Sequence, residues 1–503
     1  MKVSERAWGW LAPIGIMLLA FTLRVWNLGR PNRLLFDETY YAKDAFSLTK
    51  FGYAQDYVDN ANSQVVHGHL DHLWTGAPTQ IVHPDGGKWI IAIGEWIFGM
   101  DSFGWRISAA VIGSLTVLVL ARLVRRLTGS TVMGCVAGLL LCFDGLHFVM
   151  SRLALLDVFL TFWLVCAVAC LVADHDWITD RLDRYRFIRP WQIGAGICFG
   201  MACGTKWSAA YVLAAFGLTV VVIEVLARRR HGGGFGWIRT TVLVGIPSFI
   251  TLVGLAFVVY IATWTGFLLH HTAYEARFGH GYGTYAGWGN YVNHPTRGFL
   301  GGTIDAFRSL WHFHVMTYDF HTGSYLKSKT HPYQSNPGGW LVMARPVGVD
   351  AINDLPASSC GARAGSTCMR QVLLLGNPII WWTGALALIA AAVAWVVTRN
   401  WRWSIPVVGL LATWLPWFLY TDRPIFFFYA VAILPFTIIA IVLIFDSLWK
   451  SATTPRSRYL VALIMGFYLV AVVVTFWFFH PIYTDKLISY DAWYERMWFN
   501  RWI

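Results

Sequence analysis

The sequence predicts an all-α polytopic membrane protein with about eleven transmembrane helices and two long outer loops carrying interfacial helices. Three observations lead there. Of 503 residues, 56% are hydrophobic and only 13% are charged, about half the charged share of a soluble domain. The apolar residues fall in runs of about 20, the length a helix needs to cross a bilayer core about 30 Å thick. Basic residues gather in short segments after every second run, the bias that orients membrane proteins. Disorder, a coiled coil and a small disulfide scaffold are excluded. The net charge of +12 would suit nucleic acid, but most arginines sit between apolar runs, so no nucleic-acid partner is expected.

In chain order the expected spans are 8–28, 105–124, 131–150, 153–173, 191–206, 207–227, 240–264, 378–398, 404–420, 424–446 and 459–479. Segment 191–206 is short and Gly-rich. Its Gly196, Gly200 and Gly204 recur every fourth residue and offer a face that a neighbouring helix can approach closely. Trp89–Met100 is too short to cross and holds Glu95, so it reads as an interfacial or re-entrant helix. With the N-terminus inside, the short inner segments carry Lys2 and Arg6; Arg122, Arg125 and Arg126; Arg181, Arg184, Arg186 and Arg189; Arg228, Arg229, Arg230 and Arg239; Arg399 and Arg402; and Lys450, Arg456 and Arg458. Short outer turns carry only Arg152, Lys206 and Arg423. Dropping one span would invert every later loop and erase that contrast.

This topology predicts a multi-pass protein of the plasma membrane, with a cytoplasmic N-terminus and an extracytoplasmic C-terminus. The first run is long and lacks a small-residue cleavage site, so it is expected to remain as an anchor. Three parts follow: an N-terminal transmembrane module (1–264) with outer loop 29–104, a second outer loop (265–377), and C-terminal helices with an outer tail (378–503). Trp493, Trp498 and Trp502 suit an interfacial helix in that tail.

Six cysteines lie within spans and behave as small apolar side chains. Cys360 and Cys368 lie in the second outer loop, where a pair closing a short loop on an oxidising face favours a disulfide over two free thiols. Histidine is abundant outside, and His67-x-His69 and His312-x-His314 have ligand-like spacing. No nearby Cys or Glu-x-x-His pattern completes a zinc site, so no metal is expected.

The chemistry-bearing residues cluster near span ends. Asp37 and Glu38 follow the first span directly, and as neighbours on a helix their side chains must diverge. One can act on a substrate while the other orients it or binds elsewhere; the plainer reading is two solvated loop acids. Tyr40 and Tyr41 offer stacking surfaces beside them. Next come His83-Pro84, Gly86-Gly87-Lys88-Trp89, Gly104-Trp105-Arg106, Ser151-Arg152 and Gly204-Thr205-Lys206-Trp207. Arg106 and Lys206 fall at outer span ends, where a cation can reach a lipid phosphate or merely snorkel to the interface. Asp157 lies one turn inside an apolar run, at a cost of about 2.5–3.5 kcal/mol. It should face the bundle interior and a cation, with Arg152 and Lys206 as candidates.

Together these residues resemble the protein O-mannosyltransferases of the GT-C glycosyltransferase superfamily, nearly end to end. The resemblance rests on Asp37-Glu38 after the first span, His83-Pro84…Lys88, Gly104-Trp105-Arg106, Leu155-Leu156-Asp157 and Lys206-Trp207. It continues through His331 to Val347 (HPYQSNPGGWLVMARPV), Arg423-Pro424…Phe428-Tyr429 and the Trp/Arg-rich tail. Two departures stand out. The family's His-Pro-Pro block reads His83-Pro84-Asp85 here. Loop 265–377 is also too short, and too free of repeats, for the β-trefoil of the eukaryotic enzymes, which points to a form similar to those of actinobacteria.

The resemblance implies mannose transfer from a polyprenyl-phosphate mannose donor to Ser or Thr hydroxyls of exported proteins, in one inverting displacement. Its partners would be that lipid, the exported polypeptide and the surrounding membrane lipids, with no cofactor. Asp37 is the implied base, with Glu38 contacting the acceptor or holding the loop. Arg106 and Lys206, with Arg152 nearby, would steady the donor phosphate in place of a divalent ion. His83, Lys88, Asp157, His331, Tyr333 and Arg345 would line the substrate cleft. The rival readings are a GT-C transferase with a glycolipid acceptor, a lipid or sugar transporter, and a membrane scaffold. An intramembrane acid favours the transporter; an odd span count and the absence of an evident internal repeat weigh against it.

Overall fold

The computed structural model describes residues 4–232 and 236–503, so Lys2 lies outside the described residues. Nine helices among those residues are long and apolar enough to cross a membrane: Glu5–Val25, Gly104–Thr128, Leu156–Thr179, Ala209–Arg230, Trp237–Ala262, Pro378–Thr398, Trp401–Tyr420, Leu434–Ser451 and Pro455–Tyr483. The chain is a multi-pass membrane protein. Gly104–Thr128, Leu156–Thr179 and Leu434–Ser451 are the most deeply buried and form its centre, while Pro455–Tyr483 turns most of its surface outward.

Two of the eleven expected segments do not form full-length helices. Segment 131–150 splits into Thr131–Cys142 and Gly145–Met150. Asp144 causes the break, because its buried carboxylate caps the second piece through His147 N at 2.9 Å. The same carboxylate accepts from Asn377 N and Trp381 Nε1, at 3.0 and 2.9 Å. An N-cap residue takes an extended backbone, here ψ 129° at Asp144, so the helical run must be interrupted where the cap forms. Segment 191–206 forms Pro190–Cys203, only 14 residues long. Its glycine face does pack: a Cβ at Gly200 would stand 2.5 Å from Val259 Cβ, so only glycine lets the helix Leu255–Ala262 come this near.

Charged pairs fasten both ends of this region. Arg189 binds Asp174 and Glu224, and Arg228 Nε donates to Glu224 at 2.9 Å, tying together the ends of Leu156–Thr179, Pro190–Cys203 and Ala209–Arg230. At the other end of Leu156–Thr179, Lys206 Nζ meets Asp157 at 2.8 Å.

The fold is mostly helical rather than all-α. In loop 29–104, Gln55–Tyr57 pairs antiparallel with Trp74–Pro78. Val347–Leu355, Cys368–Leu374 and Ile488–Ser489 form a three-stranded antiparallel sheet that joins the second loop to the tail. A disulfide joins Cys360 and Cys368 beside that hairpin. The helix Gly86–Phe98 is amphipathic, with Trp89, Ile93, Trp96 and Ile97 exposed and Lys88, Ile91 and Glu95 buried. The tail departs from an interfacial helix. Trp493 and Trp502 are buried, their indoles donating to Gln371 Oε1 at 2.7 Å and Met343 O at 2.9 Å. Polar partners in the second loop draw these rings into the protein.

Candidate active site

The site forms where the helix Glu38–Phe51 begins, just past the first span. Asp37 precedes its first turn, and the two acids diverge as neighbours on a helix must. Glu38 turns inward and is fully buried. Its Oε1 accepts from Arg106 Nε at 2.8 Å and Ala154 N at 2.9 Å, and its Oε2 from Arg106 Nη2 at 2.8 Å and Leu35 N at 2.9 Å. Arg106 completes its fork with the carbonyls of Leu28, Pro31 and Arg33. This bidentate pair, with every polar position filled, holds the loop rigidly against the second span.

Asp37 turns the other way. It is half-buried, and Tyr41 donates a long hydrogen bond of 3.5 Å to it. Withdrawal from water pushes its pKa up to about 6; Asp157 raises it further, while Lys206 and the Tyr41 hydroxyl pull it down. Phe36, just before it, has φ +48°, a conformation bulky residues rarely adopt. His331, Phe426 and Phe428 meet the Phe36 ring edge-on at 6.1, 5.6 and 5.6 Å and hold it there.

Beside Asp37 lies a cavity of about 400 Å³, a size suited to a small ligand. Its walls include His83, Lys206, Trp207, His321, Arg423 and Tyr429. Lys206 sits 5.1 Å from the centre of the Tyr429 ring. His83 stacks on His321 at 5.4 Å. Burial lowers the pKa of both histidines, that of His321 to about 4, so both are neutral at physiological pH. The Arg423 Nε is buried and has no hydrogen-bond partner. The cavity therefore offers two cations, neutral imidazoles and aromatic faces, with a carboxylate poised at its side.

Of the expected site residues, His83 and Lys206 line the cavity, while Asp157, paired with Lys206, and Asp37, close enough to feel both charges, stand behind that wall. Several others are engaged elsewhere. Arg106 has all five N–H groups engaged, leaving none for a phosphate. Arg152 donates to the carbonyls of Arg24, Trp26 and Asn27 at 2.7, 2.7 and 3.2 Å, capping the end of the first span. Lys88 is buried between Asp44 at 3.0 Å and Asp85 at 3.2 Å. Burial works against its charge, but the two acids outweigh that and hold its pKa above the ordinary value. Asp85 thus serves the Lys88 pair. His331 Nδ1 accepts from Tyr333 N at 3.1 Å, supporting Phe36 from behind. Arg345 binds the carbonyls of Pro332, Arg501 and Ile503, anchoring the tail. Neither Tyr333 nor Arg345 lines the cavity. Sequence reasoning missed His321, Trp207 and Arg423 as cavity residues; Arg423 was visible as one of the few cations in a short outer turn.

The family described as dolichyl-phosphate-mannose-protein mannosyltransferase matches residues 14–272, and the C-terminal four TMM region of protein-O-mannosyltransferase matches residues 306–502. A polyprenol-phosphate-mannose–protein mannosyltransferase of Mycobacterium tuberculosis is 34% identical over 99% of this chain and 92% of its own length. The chain belongs to the protein O-mannosyltransferases. The Mycolicibacterium smegmatis enzyme of the same name is 35% identical, over 99% of this chain and 94% of its own. In fold, the chain is similar to the Saccharomyces cerevisiae protein O-mannosyltransferase Pmt1–Pmt2 complex bound to the sugar donor, with a TM-score of 0.71 at 14% identity, over 100% of this chain and 93% of that one. Four candidate spans lie in the C-terminal region of this mannosyltransferase, beginning at Pro378. Family membership makes the protein an enzyme and sets aside the transporter and scaffold readings.

Proposed function

We propose that this enzyme transfers mannose from polyprenyl-phosphate mannose to Ser or Thr hydroxyls of exported polypeptides, with inversion in a single displacement. The observation that carries the mechanism is a half-buried carboxylate, Asp37, within electrostatic reach of Lys206 on the wall of a cavity that also holds Arg423, whose Nε has no hydrogen-bond partner. The acceptor oxygen attacks C1 of the mannose as its proton passes to Asp37. The bond from C1 to the phosphate oxygen breaks, and polyprenyl phosphate leaves with the electron pair. At pH 7 a group with pKa about 6 is about nine-tenths ionised, and a base tuned close to the working pH is the more effective for it. Lys206 and Arg423 face the charge that develops on the leaving phosphate, and Asp157 fixes the Lys206 ammonium. Glu38, Arg106 and Arg152 act indirectly by holding the Asp37 loop on the span ends. His83, His321 and the aromatic walls enclose the sugar.

Eleven crossings, with the N-terminus cytoplasmic and the site outside the cell membrane, fit this chemistry. Ion pairs support counting the short helix as a crossing: the chain runs from Arg189 at the Asp174 end of Leu156–Thr179 back to Lys206 at the Asp157 end. From Asp157 to Asp174 that is about 26 Å of helix. Incubating the purified protein with a defined polyprenyl-phosphate mannose and a Ser/Thr peptide should add one hexose to a hydroxyl, read by fragmentation mass spectrometry. Hexose recovered on a lipid acceptor and none on peptide would overturn the assignment.

A further inference from the structure

A second groove, of about 680 Å³, shares no lining residue with the catalytic cavity. It lies between the ends of Glu5–Val25 and Pro455–Tyr483, the same ends from which the chain enters the Asp37 loop and the tail. Its floor is apolar, built from Leu23, Pro481 and Leu487. Trp26 and Trp477 flank it, 71% and 50% exposed, as indoles at the boundary of a membrane are. Arg30, Arg370 and Lys486 stand along the groove. Arg370 has one carboxylate neighbour, Asp485, at 3.8 Å. The Arg30 guanidinium and the Lys486 ammonium have neither an ion pair nor a hydrogen bond among the described residues. Counting Asp485, the groove keeps two positive charges in excess.

Uncompensated cations above an apolar floor, framed by exposed tryptophans at span ends, match one chemistry. We propose that this groove binds an anionic phospholipid of the outer leaflet, its phosphate against Arg30 and Lys486 and an acyl chain along Leu23 and Pro481. A free phosphate would use the cations and leave the floor bare. The lipid fills both, and it pins the first span to the last, whose own outward surface is otherwise little buried.

Native mass spectrometry of the full-length protein, purified in a neutral detergent, tests this with short-chain phosphatidylglycerol, phosphatidylcholine and inorganic phosphate as separate probes. One phosphatidylglycerol should bind in preference to phosphatidylcholine. Each basic side chain near an anionic lipid contributes about a factor of five, so Arg30→Ala with Lys486→Ala should weaken binding about 25-fold. Arg30→Lys with Lys486→Arg should retain it. Leu23→Trp, which fills the floor and leaves both cations, should lose the lipid as well. Wild-type retention by the double alanine variant, equal binding of phosphatidylcholine, or displacement by equimolar inorganic phosphate would each refute the proposal. So would loss of mannose transfer by the double alanine variant in neutral lipid, since the groove would then belong to the catalytic site.

Discussion

At the scale of single residues, the two neighbouring acids have opposite fates. Asp37→Asn should lower kcat by about 10²–10⁴-fold, the usual contribution of a general base, measured by single-turnover mannose transfer. In the wild type the rate should climb as pH rises through about 6, because only the ionised carboxylate accepts the proton. The same raised pKa has a stability consequence. The folded state holds the Asp37 proton more tightly than the unfolded chain does, so wild-type stability falls between about pH 4 and pH 6. Asp37→Asn escapes that loss, and its melting temperature should match the wild type below pH 4 and exceed it at pH 7. The cations separate in the same way. Arg423→Ala should raise the KM for the lipid donor and leave the melting temperature nearly unchanged. Arg106→Ala leaves Glu38 charged and buried, a loss of about 3–5 kcal/mol, and should be seen first as a lower melting temperature. An unchanged donor KM for Arg423→Ala would remove that residue from phosphate binding. Sequence could place a cation at the end of a span, but not count how many of its N–H groups were already engaged, which is what divides Arg106 from Arg423.

Among the elements, Pro190–Cys203 carries the most testable constraint. Gly200 faces Val259 so closely that Gly200→Leu must push the helices apart, an overpacking penalty of about 1–3 kcal/mol. Because Lys206 follows this helix directly, the displacement should also weaken its pairing with Asp157 and lower transfer, whereas Gly217→Leu, with open space at its Cβ, should change neither. The glycine spacing was plain in the sequence because it repeats with the helix period. The break at Asp144 was not, since a run of apolar residues reads as one helix until the polar partners Asn377 and Trp381 arrive from more than 200 residues away. The short strands were equally hidden: Cys368–Leu374 pairs with Ile488–Ser489 across the C-terminal spans, a contact that no local pattern announces.

For the whole molecule, the expected topology places both long loops and the tail outside. Green fluorescent protein fused before the first residue should fluoresce, and alkaline phosphatase fused after Ile503 should be active in intact cells. Both reporters on one side would refute the odd span count, and the opposite pairing would refute the orientation. The sequence alone determined the membrane character and most span positions, and it marked the acid pair after the first span as the candidate site. These are written in composition and in short periodic patterns, and the cost of exposing backbone polar groups to lipid enforces them locally. Only the tertiary structure decided which cations reach the cavity, which are spent on loops and helix ends, and where a second charged groove opens. Those outcomes depend on distant partners competing for a limited number of hydrogen bonds, and folding resolves that competition in three dimensions rather than along the chain.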